Sequence, residues 1–141
     1  MTYLLDTDTI VFLLRGNRFV ADRIREAGDD HIATTAINLA ELYFGAFNST
    51  RVENNLKAVD GFRRATRVFS LDSTAAVIFG KIKATLKKEK NLLNDSDLFI
   101  AAVALSTHSV LVTNNVRHFN RIEDLVVENW VNGPEKIRGR S

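Results

Sequence analysis

Asp6, Glu41 and Asp97 are acids set among residues that bury themselves. Asp6 and Asp8 sit in LLDTDTI, at the mouth of a short apolar run that reads as a buried strand. From Ile32 to Thr50 the only charged residue is Glu41, in the middle of a helix apolar on nearly every side. Asp97 opens a stretch, Leu98 to Val116, with no formal charge at neutral pH. A lone buried carboxylate costs several kcal/mol or more unless a cation pairs with it. Neither of the latter two segments contains a Lys or Arg. The compensating charge must come from elsewhere in the fold or from solution. If the three acids converge, their repulsion raises their pKa values unless a divalent ion neutralises them. A ligand set of oxygens without Cys or His selects a hard ion, Mg²⁺ or Mn²⁺ in its place. Such an ion keeps waters, and these are the nucleophiles of metal-assisted hydrolysis.

Each acid also has a purely structural reading. Asp6 or Asp8 can N-cap the first helix, and Asp95, Ser96 or Asp97 can cap the helix that starts near them or favour its first turn. Glu41 can answer Asn38 in a capping box, and Asn114 and Asn115 can be plain turn residues. The chemical reading therefore needs the whole set, brought together by the fold.

The elements that must do this alternate. YLL (3–5) reads as a buried strand, followed by a helix through IVFLL that stops at Gly16. FVADRIREAG reads as a second helix, with Val20, Ile24 and Ala27 on one face and Gly28 as its C-cap. HIATT (31–35) is a strand and AINLAELYFGAF (36–47) a helix; residues 51–65 form a polar helix leading into the strand RVFSL. The longest helix, roughly 72–90, buries Ala75, Ile78, Phe79, Ile82 and Leu86 and exposes Lys83, Lys87 and Lys90 on one ridge. SDLFIAAVALST is a nearly all-apolar helix, SVLVT (109–113) a strongly apolar strand and LVVENW (125–130) a final one. This order predicts an α/β sandwich with a mainly parallel central sheet. Ligands of such sheets gather at the carboxyl ends of strands, where Asp6 and Asp8 follow the first strand and Thr113, Asn114 and Asn115 follow SVLV.

The totals are consistent with one globular domain. The 141 residues are 45% hydrophobic and 26% charged, with a net charge of +2. The absence of Cys excludes disulfide frameworks and thiolate metal sites. No run of roughly 18 apolar residues suggests a membrane span, and the N-terminus lacks a signal-peptide pattern, so a cytoplasmic location is expected. The pI of about 9.1 tilts the surface toward anionic partners. VNGPEKIRGRS reads as a polar tail, with the domain over 1–132 and the tail over 133–141.

Two families resemble these motifs. An apolar strand followed by Asp-x-Asp-x-Thr is similar to the first motif of haloacid dehalogenase-type phosphohydrolases, in which the first Asp attacks phosphorus, and LVTN at 111–114 looks like their second motif. That family needs a later Lys and paired acids, and Lys136 and Glu123–Asp124 are poorly placed to serve. The resemblance to PIN-domain ribonucleases, specifically toxins of the VapC type, extends over almost the whole chain. YLLDTDTIVFLL resembles their opening strand with the first metal-binding acid, Asp6; INLAELYFGA resembles the second motif, with Glu41 at the acid position. DLFIAAVAL resembles the third, which selects Asp97 over Asp95, and LVTNNVRHFNRI followed by ENW is similar to the closing stretch. Asn115 stands where many PIN domains carry a fourth acid, which implies a less negative site that holds one ion firmly and a second only with help from substrate phosphate.

The resemblance implies a PIN-like three-layer sandwich and Mg²⁺-dependent endonucleolytic cleavage of RNA. Asp6 and Asp97 are then expected to bind the ion, Glu41 to hold or deprotonate the attacking water, and Asn115, with Thr113 beside it, to orient water or phosphate. Asp8 and Asp95 are expected to add outer charge. The family further implies a homodimer, and an antitoxin that blocks the acidic groove. For RNA contacts the sequence offers Arg15 and Arg18, Arg63, Arg64 and Arg67, and the Lys ridge, which is otherwise a solvated helix face. Phe12, Tyr43, Phe44 and Phe47 exceed the needs of one small core and suggest a partner-facing groove. His31, His108 and His118 share no ligand spacing and read as structural or surface residues. A catalytically silent RNA- or protein-binding domain is the alternative, with Asn115 its best support.

Overall fold

Leu4 and Leu5 set the layering of the molecule. They are adjacent on strand β1 (Thr2–Leu5), both fully buried, and face opposite sides of the sheet, so each side needs its own helical cover. The computed structural model describes residues 1–133; past Gly133, the expected tail lies outside the described residues. Chain order continues as α1 (Thr7–Leu14), α2 (Arg18–Ala27), β2 (Ile32–Thr35), α3 (Ala36–Phe47), α4 (Val52–Ala65) and β3 (Arg67–Phe69). It then runs through α5 (Ser73–Lys88), α6 (Asp95–Ser106), β4 (Ser109–Val112), α7 (Val116–Phe119) and β5 (Val127–Glu128).

The five strands are all parallel, in the order β3-β2-β1-β4-β5. Leu4 and Leu111 face α5 and α6, whose Ala75, Leu86, Leu98 and Ala101 complete one core. Leu5, Val110 and Val112 face the other layer, where Ile10, Val20, Leu42, Val59 and Phe62 arrive from α1 to α4. The α/β sandwich with a parallel sheet expected from the alternation is thus formed, with the three layers the resemblance implies. β2 and β4 are buried at every residue, which is why they read as continuous apolar or small runs.

The sheet's direction of growth reverses beside β1. The chain moves outward through β2 and β3, then returns to lay β4 on the other flank of β1, with Leu5 opposite Val112. The carboxyl ends of β1 and β4 therefore flank a switch point, the usual position of a ligand crevice in open parallel sheets.

Four strands are shorter than expected, β2 and β4 by one residue each and the two edge strands by more. LVVENW pairs only at Val127 and Glu128, because Asn129 turns to bond Asn114 and the Val131 N–H, and Trp130 leaves to pack against Tyr3 and Arg23. RVFSL ends at Phe69, since Asp72 already caps α5 through the Ala75 N–H. The four-residue α7 was not anticipated at all. Gly28 caps α2 as expected, with a φ of 94° that a side chain would strain.

Candidate functional site

Asp6 is placed by the end of β1. Its N–H donates to Val112 O at 2.8 Å, which continues the β1–β4 pairing one residue past the strand, and its side chain then caps α1 by accepting from the Thr7 N–H. The structural reading of Asp6 as the cap of α1 therefore holds. The residue is only 7% exposed. Its Oδ1 also accepts from Asn38 Nδ2 at 3.1 Å, and its Oδ2 from Thr113 Oγ1 at 2.7 Å.

Asn38 ties this acid to the next one. Fully buried on α3, it donates from Nδ2 to both Asp6 Oδ1 and Thr7 Oγ1, and its Oδ1 accepts from Thr35 Oγ1 at 2.6 Å. Thr7 Oγ1 in turn donates to Glu41 Oε1 through a short hydrogen bond. The other Glu41 oxygen accepts from Ser96 Oγ at 2.7 Å, joining α3 to α6. Thr35 is the N-cap of α3, so Glu41 lies in the second turn and takes no part in a capping box with Asn38.

Asp97 is presented by the first turn of α6. The cap of that helix is Asn94, whose Oδ1 accepts from the Asp97 N–H at 2.8 Å; none of Asp95, Ser96 and Asp97 fills this role. The Asp97 side chain is left to reach across to α7, where Oδ2 meets His118 Nε2 at 2.8 Å. Asp95 instead points to solvent and pairs with Lys83 at 2.9 Å. This removes Asp95 from the site's outer charge and takes Lys83 out of the free Lys ridge.

Electrostatically the acids share one field. Burial above all, and then the neighbouring carboxylate of Asp8, push the Asp6 carboxyl up from 3.8 to about 7, with a smaller lift from Asp97; the bonds from Thr113 and Thr7 oppose this. Burial also holds Asp97 above the ordinary carboxylate range, where His118 opposes the lift and Glu41 adds to it. Among the described residues no Lys or Arg pairs with Asp6, Glu41 or Asp97. Asp8 is the outer acid expected, accepting from the Asn114 N–H at 3.1 Å.

Asn115 follows β4 at the carboxyl edge of the sheet. Its backbone N–H donates to Thr113 Oγ1 at 3.0 Å, while its side chain is exposed and makes no hydrogen bond among the described residues. Beside Thr7 and Glu41 a groove of about 260 Å³ runs between α1, α3 and α4, with Val11, Arg15, Gly45 and Asn55 on its walls. Glu123 and Asp124, the paired acids a phosphohydrolase would require, line a separate cavity with α5 residues such as Lys81 that shares no residue with the groove beside Glu41; Lys136 lies outside the described residues.

The donor chemistry, one buried and two half-buried carboxylates with no Lys or Arg partner among the described residues, fits a hard dication. Among the described residues, however, no three Asp, Glu or His side chains already stand together as a ligand shell.

The sequence matches the PIN domain family over residues 3–125. It is 34% identical to Ribonuclease VapC1 of Haemophilus influenzae strain R2866 over 132 residues, 92% of this chain and 98% of that protein. The chain belongs to the VapC family of PIN-domain proteins. Among its relatives, the tRNA(fMet)-specific endonuclease VapC of Salmonella typhimurium is 34% identical over 133 residues, again covering 92% of this chain and 98% of the relative. The DNA-bound VapBC structure from Salmonella typhimurium superposes with a TM-score of 0.87 at 33% identity, over 92% of this chain and 98% of that one. In this VapC-family chain, four side chains meet the acids in contacts the sequence does not predict: Thr7, which it leaves unread, Asn38 and Ser96, which it offers to helix capping, and His118, which it places among structural or surface residues. Asn38 carried a usable signal, a lone amide in an apolar helix three residues before Glu41. Thr7 and Ser96 give only adjacency to an acid, and His118 shows no ligand spacing in the sequence because its partner, Asp97, lies on another element.

Proposed function

We propose that this chain is a Mg²⁺-dependent endoribonuclease that acts in the cytoplasm as the toxin of a toxin–antitoxin pair. The observation that carries the reading is the crevice at the β1–β4 switch point, where a buried Asp6 lies in the field of Asp97, Asp97 in that of Glu41, and no Lys or Arg among the described residues compensates them. Asp6 and Asp97 would hold the ion, with Mn²⁺ able to replace Mg²⁺. When bound, the ion supplies the positive charge the carboxylates lack and offsets charge that builds on the scissile phosphate. Glu41 orients and deprotonates the attacking water; the hydroxyls of Thr7 and Ser96 fix its carboxylate while leaving lone pairs open. Thr113 serves by holding Asp6, and the free side chain of Asn115 contacts water or phosphate at the rim.

RNA enters along the groove beside Glu41, where Arg15 offers a phosphate contact and the apolar wall of Val11, Leu42 and Ala46 accommodates a base. The same groove, next to the exposed Phe44 and Phe47, suits an antitoxin segment, as the VapBC complexes among the solved relatives support. Those two rings, 68% and 64% exposed, also favour a homodimer. No helix of the described residues is long and apolar enough to cross a membrane. The test is cleavage of RNA by the purified chain in Mg²⁺, in Mn²⁺ and in EDTA, alongside Asp97→Asn. Cleavage that needs the ion and is lost in the variant supports the reading. A folded chain that cuts no RNA with either ion refutes it and leaves the silent binding domain in its place.

A further inference from the structure

The Asp97 carboxylate is steered by a ring from another element. Its backbone is fixed by the cap of α6, through the N–H donated to Asn94 Oδ1. Its Oδ2 is fixed by His118 Nε2 at 2.8 Å, and the Asn94 side chain also lies against the carboxylate. His118 is itself anchored. The next residue, Phe119, is fully buried and roots α7 in the core, the two rings meet edge to face at 5.8 Å, and the His118 N–H closes onto Asn115 O at 3.1 Å. Both the neutral Nε2–H tautomer and the imidazolium donate from the nitrogen that faces Asp97, so this nitrogen has no lone pair to offer an ion.

We propose that His118 is a positioning residue: by holding Asp97 Oδ2 it presents Oδ1 to the dication that Asp97 shares with Asp6. The inference rests on the metal-dependent reading above and deepens it by assigning the rotamer of one ligand to a residue on α7. A carboxylate free to rotate must be ordered when the ion binds, whereas one already held has lost that freedom on folding. Removing an outer partner of this kind weakens metal binding by about 10–100-fold.

The test is metal affinity, not cleavage: Mn²⁺ binding followed by the EPR signal of the free ion, and Mg²⁺ binding by calorimetry, on the full chain and on His118→Ala, His118→Gln and His118→Asn. The Gln amide nitrogen can reach the place of His Nε2 and donate, while the shorter Asn cannot. His118→Ala and His118→Asn are expected to bind Mn²⁺ at least about tenfold more weakly, and His118→Gln to recover most of the loss. Should the Ala variant fail to fold, the Gln and Asn variants carry the comparison. Unchanged or tighter binding by the Ala or Asn variant overturns the inference, tighter binding meaning that His118 competes with the ion. A Gln variant as weak as Asn overturns it as well. Failure of the unsubstituted chain to bind either ion is a distinct result, since it removes the metal-dependent reading before any substitution is compared.

Discussion

Replacing Asp6 by Asn is expected to stabilise the metal-free protein at neutral and alkaline pH. In the fold the carboxyl is pushed from 3.8 to about 7, chiefly by burial. Between those two values the folded chain keeps a proton that the unfolded chain has released. Stability is therefore unaffected by this group below about pH 4, declines as pH rises through the window, and carries the full penalty above pH 7. A shift of about 3 units at about 1.4 kcal/mol each gives a penalty of about 4 kcal/mol. Asn keeps an oxygen for the Thr7 N–H and Asn38 Nδ2 but sets an amide against Thr113 Oγ1, a loss of about 1 kcal/mol. The net gain is roughly 3 kcal/mol at pH 8. With an unfolding entropy of about 2.1 cal/mol/K per residue, it corresponds to a rise in Tm of about 10 °C for a domain this size. Circular dichroism melts in EDTA from pH 4 to pH 8 read this directly. A variant no more stable than the parent at pH 8, or a gain that does not shrink toward pH 4, refutes the view that Asp6 is an uncompensated buried acid. Added Mg²⁺ should raise the Tm of the parent and leave the variant nearly unmoved, because only the parent retains the charge the ion relieves.

Glu41→Gln is expected to lower the rate of RNA cleavage by about 10²–10⁴-fold with little change in RNA affinity, checked by single-turnover kinetics against binding of an uncleavable RNA. Arg15→Ala should weaken RNA binding and reduce the slope of log K against log salt by about 0.7, one single-strand phosphate contact, as read from a salt series; an unchanged slope removes Arg15 from the RNA path. Asn38→Ala deletes the amide that links Asp6, Thr7 and Thr35 and should cost about 1–3 kcal/mol in urea unfolding, because it strands buried acceptors.

The fold was legible wherever burial wrote a long enough pattern. α3 falls on the predicted residues because β2 is buried throughout and Thr35 marks its junction with the helix by capping it. α7 is too short for a helical period to show in VRHF, and its place depends on Phe119 finding the core, a tertiary fact. In NDSD four polar residues in a row all suit the start of a helix, so composition could not tell that Asn94 takes the cap and thereby frees the Asp97 side chain. The acids themselves were found by the reverse logic, charge where charge should not be. That logic is blind to neutral partners, which is why Thr7, Ser96 and His118 emerged only with the geometry.

How three uncompensated acids coexist in a folded chain has a physical answer in the helices. Asp6 is the N-cap of α1 and Asp97 lies in the first turn of α6, so each sits at the positive end of a helix dipole. Such an end carries roughly half an elementary charge. Glu41, in the second turn of α3, gains little from its helix and is met instead by two hydroxyls, from Thr7 and Ser96. Fractional dipoles and neutral donors can hold carboxylates in place but cannot cancel whole charges, and at Asp6 burial, with Asp8 beside it, outweighs them and raises the pKa. A Lys or Arg built in beside the acids would have removed that residue of negative charge. It would also have removed the attraction for a cation, so the instability at Asp6 and the affinity proposed for Mg²⁺ are the same uncompensated charge, seen first without the ion and then with it.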